Sequence, residues 1–328
     1  MTSQPPLTLG VALVVLCALP FTTSNAYYLD IVVQVYMWAA AAVAWNLLGG
    51  YAGQFSLGHS AFFGIGAYTS SLLLLTAGLT PWIGMLAGGA LAALFALVIG
   101  YLAIRLRGPF FTLATIALAE VLQILAVYFR DLTGGSQGLS LPFAASVANF
   151  TFDGKRAYAL AGLGFLLFAL LVSGLIERSR LGYYLVAIRE EEEAARAVGV
   201  PVLGIKLIAT AASAFLTAMV GTFYAQYVLW IEPAHTFSLD VSVQLALIAI
   251  IGGLGTLLGP VIGAALIIPL NMFLRAWLGA SYAGLYLVVY GLVLVLVVLY
   301  ARQGLVVEAR GWLTRRRQAA PAAGAPAA

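Results

Sequence analysis

The most heavily charged stretch of this chain is residues 177–206, ERSRLGYYLVAIREEEEAARAVGVPVLGIK, and long apolar segments flank it on both sides. It holds ten charged side chains, in a protein of 328 residues that has only 16 Lys and Arg and 12 Asp and Glu. A helix in this stretch is too short and too charged to cross a bilayer. The sequence therefore predicts a helix that lies in water beside a membrane.

An apolar stripe at helical spacing runs along this stretch, on Leu185, Ile188, Ala195 and Val198. The other faces are charged, through Arg189, Glu190, Glu191, Glu193 and Arg196. Glu192 and Arg196 are spaced for an i,i+4 ion pair. Gly199 and then Pro201 predict the end of the helix, because glycine provides a left-handed cap and proline cannot continue a helix. The pattern predicts one capped helix.

Three interpretations of this helix are open. A run of charge is commonly a solvated loop that sets membrane topology. An interfacial helix on lipid suits the sequence less well, because four consecutive glutamates (190–193) fit an anionic membrane surface badly. A compact helix offered to water by a lipid-soluble chain also suits a docking element for a soluble partner.

The composition predicts a polytopic membrane protein with one membrane domain. The chain is 63% hydrophobic and 9% charged, with a mean hydropathy of +1.02, whereas soluble domains carry about 25% charged residues. The single cysteine, Cys17, excludes internal disulfides and cysteine-based metal clusters. His59 and His235 are too far apart in sequence to give metal-ligand spacing. The net charge of +4 indicates no nucleic-acid partner, because the basic residues cluster at predicted membrane boundaries.

The apolar runs predict an all-α fold of eight to ten transmembrane helices. Runs of spanning length cover residues 7–21, 31–48, 57–76, 82–104, 110–129, 158–176, 205–230 and 284–300. A shorter pair, 241–251 and 261–275, is separated by GGLGTLLGP. The count is ten if this pair crosses twice and eight if it is re-entrant. The first run resembles a secretory signal, but no basic residue precedes it, so we expect it to be retained.

The basic residues predict the orientation. Arg105 and Arg107, the stretch 177–206 and the segment 302–317 carry most of them, whereas residues 231–240 carry two acids and no Lys or Arg. The positive-inside rule places the first three in the cytoplasm and the last outside, with both termini inside. Residues 130–157 fall outside and are long enough for a small cap.

Glycine is dense in residues 49–66 and 252–263. These stretches suit either close helix packing or broken helices beside a substrate path, and their loose similarity hints at an internal repeat. The candidates for lining a passage are the polar residues Gln54, Ser56, His59, Glu120 and Gln123. Glu120 is the only acid near the middle of a predicted span, so it is either functional or a paired acid that joins two helices. We expect His59 to satisfy a neighbouring backbone group.

Several motifs together resemble the permease subunits of branched-chain amino acid ABC importers, of the LivM type. The resemblance covers residues 31–300, and its landmarks are 46–68, 105–120, 132–139, 187–200 and 251–264. It implies a heterodimer with a homologous permease, two cytoplasmic ATPase subunits and a periplasmic amino acid-binding protein. It also implies residence in the inner membrane of a bacterium, in contact with lipid.

The resemblance implies roles for particular residues. Glu193, Ala194, Ala195 and Gly199 have the form E-A-A-x-x-x-G of the coupling helix that docks on the ATPase, and Arg189 and Glu190 complete the predicted coupling set. Residues 1–312 would form the transmembrane permease domain, with coupling loop 177–206 and periplasmic loop 130–157. Residues 313–328 would be a disordered cytoplasmic tail.

No G-x-x-x-x-G-K-[ST] occurs, so ATP and Mg²⁺ are expected at partner subunits, and this chain is expected to bind no cofactor or metal and to be no enzyme. The expected cargo is a branched-chain amino acid. A urea or short-amide importer of the same family is an alternative. A carrier or channel that works without ATP, with Glu120 as its ion-coupling group, is an alternative of another class.

Overall fold

The computed structural model describes residues 10, 14–103, 106, 108–278, 284–300, 304–306 and 308. The elements follow in the order α1 (Ala26–Asn46, prolonged by the π-helical turn Leu47–Tyr51), α2 (His59–Ala77), α3 (Pro81–Ala103), α4 (Pro109–Tyr128), α5 (Arg130–Thr133), β1 (Leu139–Ser140), α6 (Lys155–Arg178), α7 (Arg180–Glu190), α8 (Glu192–Ala197), α9 (Val202–Val228), β2 (Trp230–Ile231), α10 (Pro233–Thr236), α11 (Leu239–Gly252), α12 (Gly259–Leu278) and α13 (Leu285–Tyr300). The fold is an all-α polytopic membrane architecture, as the apolar runs predict.

Among the described residues, eight helical segments are long and apolar enough to cross a membrane. They are α1 with its π-helical turn, α2, α3, α4, α6, α9, α10 with α11, and α12. The apolar helix α13 adds a further 16 residues. Residues 7–9 and 11–13 of the predicted first span lie outside the described residues, and so do Arg105, Arg107 and the predicted tail 313–328.

The body has two ends that differ in character. One, the charged face, carries α7 and α8. The other, the strand face, carries β1 and β2, which pair antiparallel with Leu139 opposite Ile231. The Trp82 indole donates to the Val147 carbonyl at 2.8 Å on the strand face. Residues 130–157 therefore form part of a small cap on this face. The sequence predicted the cap but not the pairing of β1 with β2.

The short apolar pair crosses the body twice. Helix α11 begins just after β2 on the strand face, and the turn 253–258 that ends it lies on the charged face beside Asn46. Helix α12 then returns to the strand face. The carbonyl of Met272, in the last third of α12, accepts a hydrogen bond at 3.1 Å from the hydroxyl of Tyr27, which lies at the start of α1. The larger of the two predicted span counts fits this course, whereas a re-entrant pair does not.

Helix α1 is the centre of the bundle. Ala39, Ala40, Ala41 and Ala42 have no exposed surface, because α6, α9 and α12 pack around the helix. Of the most apolar 18 residues of each helix, 89% are buried in α1 and only 17% in α4. Helix α4 therefore lies at the edge of the subunit and presents most of its surface outward.

A polar cluster joins three helices on the strand face. Asp30 near the start of α1 accepts hydrogen bonds from the Lys155 ammonium at the start of α6 and from the Tyr227 hydroxyl near the end of α9. The Lys155 ammonium also lies 5.6 Å from the centre of the Tyr227 ring. These contacts fix the three helix ends to one another.

Several glycines serve close helix packing, as the first of the two glycine interpretations expects. Gly66 of α2 lies against the backbone carbonyl of Ala218 in α9, and Gly221 lies against the carbonyl of Phe63. A Cβ on Gly88 of α3 would sit 3.1 Å from the Gly66 Cα. Small residues thus let α2, α3 and α9 approach closely.

We expect Gly66→Ala to lower the unfolding midpoint of the detergent-purified protein, since the new methyl group forces α2 and α9 apart at a cost of about 1–3 kcal/mol. Gly164→Ala in α6 is the matched control, because no atom lies within 4 Å of its Cβ position. Thermal unfolding followed by size-exclusion chromatography measures both. Equal midpoints for the two variants would contradict the packing role.

Candidate functional site

The charged stretch forms two helices, and the prediction of one continuous helix is wrong. Glu191 has an extended backbone, with φ −157° and ψ 103°, and it separates α7 from α8. Leu185, Ile188 and Ala195 are buried as the stripe predicts, but Val198 is 81% exposed. The chain changes direction at Glu191, so helical spacing no longer relates the residues on either side of it.

The predicted end of the charged stretch is confirmed. Gly199 is left-handed with φ +88°. The Val200 amide donates to the Ala195 carbonyl at 3.1 Å, and the Gly199 amide donates to the Arg196 carbonyl at 3.0 Å. These two bonds are the paired pattern of a Schellman cap. The segment that comprises α7, α8 and this cap is called the coupling segment below.

An ion-pair network ties α8 to the start of α9. Glu192 accepts from Arg196 at 2.9 Å, which confirms the predicted pair, and from Lys206 at 2.6 Å. The Lys206 side chain is only 2% exposed. Sequence reasoning treated Lys206 as a topogenic charge and missed this contact, although a lysine at the start of an apolar span after a run of glutamates was a usable signal.

Arg189 ties α7 to the body of the protein. Its guanidinium donates to the Gly50 carbonyl at 3.0 Å and pairs with Glu190 at 2.8 Å. Gly53 and Gly255 lie against the same side chain. Arg189 thus points partly inward, whereas Glu190, Glu193, Ala194 and Gly199 of the predicted coupling set are exposed and Ala195 is buried.

The two glycine-dense stretches meet beside Arg189. The Asn46 amide group donates to the Thr256 carbonyl at 3.0 Å and accepts from the Gly255 amide at 3.0 Å. Tyr51, at the end of the π-helical turn, donates to Glu177 at 3.1 Å. The broken-helix interpretation thus fits the turns 52–58 and 253–258, while the packing interpretation fits the helical glycines on either side of them.

The predicted passage residues separate into two groups. Ser56 and His59 are buried in a chain of contacts, since the His59 ring nitrogens lie 3.2 Å from the Ser56 hydroxyl and 2.8 Å from the Ser213 hydroxyl. Ser213 donates to the Ala44 carbonyl at 2.6 Å, so this chain joins α1, α2 and α9. The hydrogen-bond partners of His59 are therefore two side-chain hydroxyls, whereas the sequence predicted a backbone group.

The other passage candidates lie nearer the surface. Gln54 is half-buried in the turn after α1, Glu120 is exposed in the middle of α4, and Gln123 is half-exposed one turn further on. The structure thus does not bring Ser56 and His59 together with Glu120. Across the described residues, no group of three or more His, Cys, Asp or Glu is placed to hold a metal ion.

Long apolar helices that alternate between two faces, joined by a charged segment fastened to their ends, define a polytopic membrane protein. Residues 27–298 match the family model described as branched-chain amino acid transport system / permease component, and the chain belongs to this family.

Three relatives bear related names. The high-affinity branched-chain amino acid transport system permease protein LivM of Salmonella typhimurium is 27% identical over 327 residues, covering 93% of this chain and 75% of the relative. The protein of the same name in Escherichia coli is 27% identical over 342 residues, covering 97% and 79%. A probable LivM of Methanocaldococcus jannaschii is 23% identical over 234 residues, covering 66% and 67%. No solved structure matches the chain.

Replacing Glu192 tests the network around Lys206. We expect Glu192→Ala to destabilise the protein by about 3 kcal/mol, because it leaves the buried Lys206 ammonium without its partner. The double variant Glu192→Ala with Lys206→Met should recover most of the loss, since no buried charge remains. Unfolding midpoints of the purified variants measure both effects, and a double variant no more stable than the single one would disprove the pairing.

Proposed function

We propose that this chain is the membrane-spanning permease subunit of an ATP-driven importer that carries branched-chain amino acids across a bacterial inner membrane. The observation that carries the proposal is the coupling segment, which is capped, charged and fastened to the ends of spanning helices on one face. The charged face lies in the cytoplasm in this proposal, with both chain termini on the same side, because basic residues favour the cytoplasm.

An ATPase docked on the coupling segment explains the division of its surface. Arg189 and Lys206 fasten the segment to the body, while the side that carries Glu190, Glu193 and Ala194 is exposed. The sequence has no P-loop, so ATP and Mg²⁺ belong to separate subunits, expected as a pair. Because the exposed segment is fastened to the body of the protein, it can transmit the movement of such a soluble partner to the spanning helices.

The names of the relatives support the cargo, since each names branched-chain amino acids. In such an importer the strand face would receive the cargo from a soluble amino acid-binding protein. The family alternative, a urea or short-amide importer, differs from this proposal in its ligand, and uptake assays with leucine and with urea separate the two.

A second membrane subunit is supported by the exposed side of α4. Glu120 lies near the middle of this span and has no partner among the described residues. A charged side chain at the centre of a helix costs about 2.5–3.5 kcal/mol when it faces lipid. A neighbouring permease that offers a hydrogen-bond donor to Glu120 removes this cost, and α4 is the least buried of the eight candidate spans.

Two substitutions test the docking role. Glu193→Lys reverses an exposed charge, and Gly199→Pro destroys the cap, because proline cannot adopt φ +88°. Each variant should insert normally yet lower substrate-stimulated ATP hydrolysis by the complex about tenfold, the effect of losing about 1.4 kcal/mol of docking energy. Asp131→Lys makes the same change of charge on the strand face. This control should leave co-purification of the ATPase unchanged. Normal hydrolysis and uptake in both variants would exclude docking.

A substitution at Glu120 tests the second subunit. We expect Glu120→Leu to raise the stability of the chain purified alone and to reduce co-purification of the second permease about tenfold, because a hydrogen bond to a charged group is lost at the interface. Val121→Leu, at the neighbouring exposed position, should change neither quantity. Undiminished assembly in the Glu120→Leu complex would exclude an interface at this face.

A further inference from the structure

Arg189 contacts both broken hairpins of the bundle. The first hairpin is α1, the turn 52–58 and α2. The second is α11, the turn 253–258 and α12. The guanidinium donates to the Gly50 carbonyl of the first at 3.0 Å. A Cβ on Gly255 of the second would sit only 2.6 Å from the same guanidinium. One side chain of the coupling segment therefore lies at the junction of four helices.

The backbone of both turns is shaped around this side chain. Gly53 and Gly255 both have positive φ, +66° and +67°. A Cβ on Gly53 would lie 2.7 Å from the Arg189 Cγ, so a larger residue would displace the arginine. The Gly50 carbonyl belongs to the end of a helix, where carbonyls lack intrahelical partners and need another donor when water is scarce. Arg189 provides that donor.

Asn46, at the end of α1 in the first hairpin, connects that hairpin to the second turn. It bonds both to the Gly255 amide and to the Thr256 carbonyl, each at 3.0 Å, from a position one turn before Gly50. A displacement of the second turn relative to α1 therefore stretches both hydrogen bonds. Arg189 is the side chain of the coupling segment for which contacts with both turns are observed in the described part of the chain.

We propose that Arg189 is a positioning residue that passes displacement of the coupling segment to both glycine turns at once, so that the two hairpins move together. The proposal rests on the proposed function, since it names the step between ATPase movement and rearrangement of the spans. The contact between Glu192 and Lys206 reaches α9 alone and would carry displacement to a single helix.

Arg196 offers a matched control for Arg189. It lies on the same coupling segment, its side chain is 55% exposed, and it bonds to Glu192 within its own helix. Both Arg189→Ala and Arg196→Ala remove one positive charge from the segment. They differ in whether the bond to Gly50 and the contacts with the two glycine turns are lost.

The first measurement uses the complex with its ATPases and second permease. In Arg189→Ala we expect ATPase co-purification to match the wild type, while amino acid uptake per ATP hydrolysed falls about tenfold, since a hydrogen bond between a charged group and a carbonyl is lost. Arg189→Lys keeps a donor and should recover part of the ratio. Arg196→Ala should leave the ratio unchanged. A loss of structure would lower uptake and hydrolysis together, so the ratio separates positioning from folding.

The second measurement uses the detergent-purified chain without partners. Hydrogen exchange should accelerate at amides of both turns, 52–58 and 253–258, in Arg189→Ala, and at neither turn in Arg196→Ala. Acceleration at one turn alone, or at neither, would overturn the proposal. So would loss of ATPase co-purification in Arg189→Ala, because Arg189 would then act in docking. If the wild-type chain binds no ATPase, the proposed function fails, while the exchange measurement still tests the link between the turns.

Discussion

Backbone polar groups exposed by a broken helix need hydrogen bonds from the protein itself where water is scarce, and this constraint governs the charged face. Helices α1 and α11 both end in glycine-rich turns there. Asn46 bonds to the second turn, and Arg189 of α7 bonds to Gly50 at the end of α1, just before the first turn. The aqueous segment and the apolar bundle therefore share one hydrogen-bond network. That sharing explains why so polar a stretch is held firmly against an apolar body.

Burial falls steeply across the bundle, from α1 at its centre to α4 at its edge. The two ends of α4 are held differently from its middle. Thr112 near its start donates to the Phe55 carbonyl at 2.7 Å, and near its end the Ala126 carbonyl accepts from the Thr133 hydroxyl. Glu120 lies between these points on an open surface. The second permease subunit proposed above would cover this surface and Glu120.

Local patterns in the sequence predicted most of the helices, the cap at Gly199 and the pair of Glu192 with Arg196, because each depends on residues a few positions apart. The break at Glu191 was not predictable in this way, since Leu185, Ile188, Ala195 and Val198 keep helical spacing across it. The inward turn of Arg189 depends on Gly50, 139 residues earlier. Such long-range contacts leave no periodic pattern in a single sequence, so the inward position of Arg189 was not predictable. The coupling role of Arg189 remains a prediction.

The cluster of Asp30, Lys155 and Tyr227 has a mechanical consequence. It joins three helices at the strand face, so a force applied at their opposite ends would tilt them about this point. Helix α1 with its π-helical turn has 26 residues and is about 39 Å long. A tilt of about 5° would move its far end by about 3 Å, as the helical rise sets the lever length. A small rotation about the cluster would thus separate the opposite helix ends by about one atomic diameter.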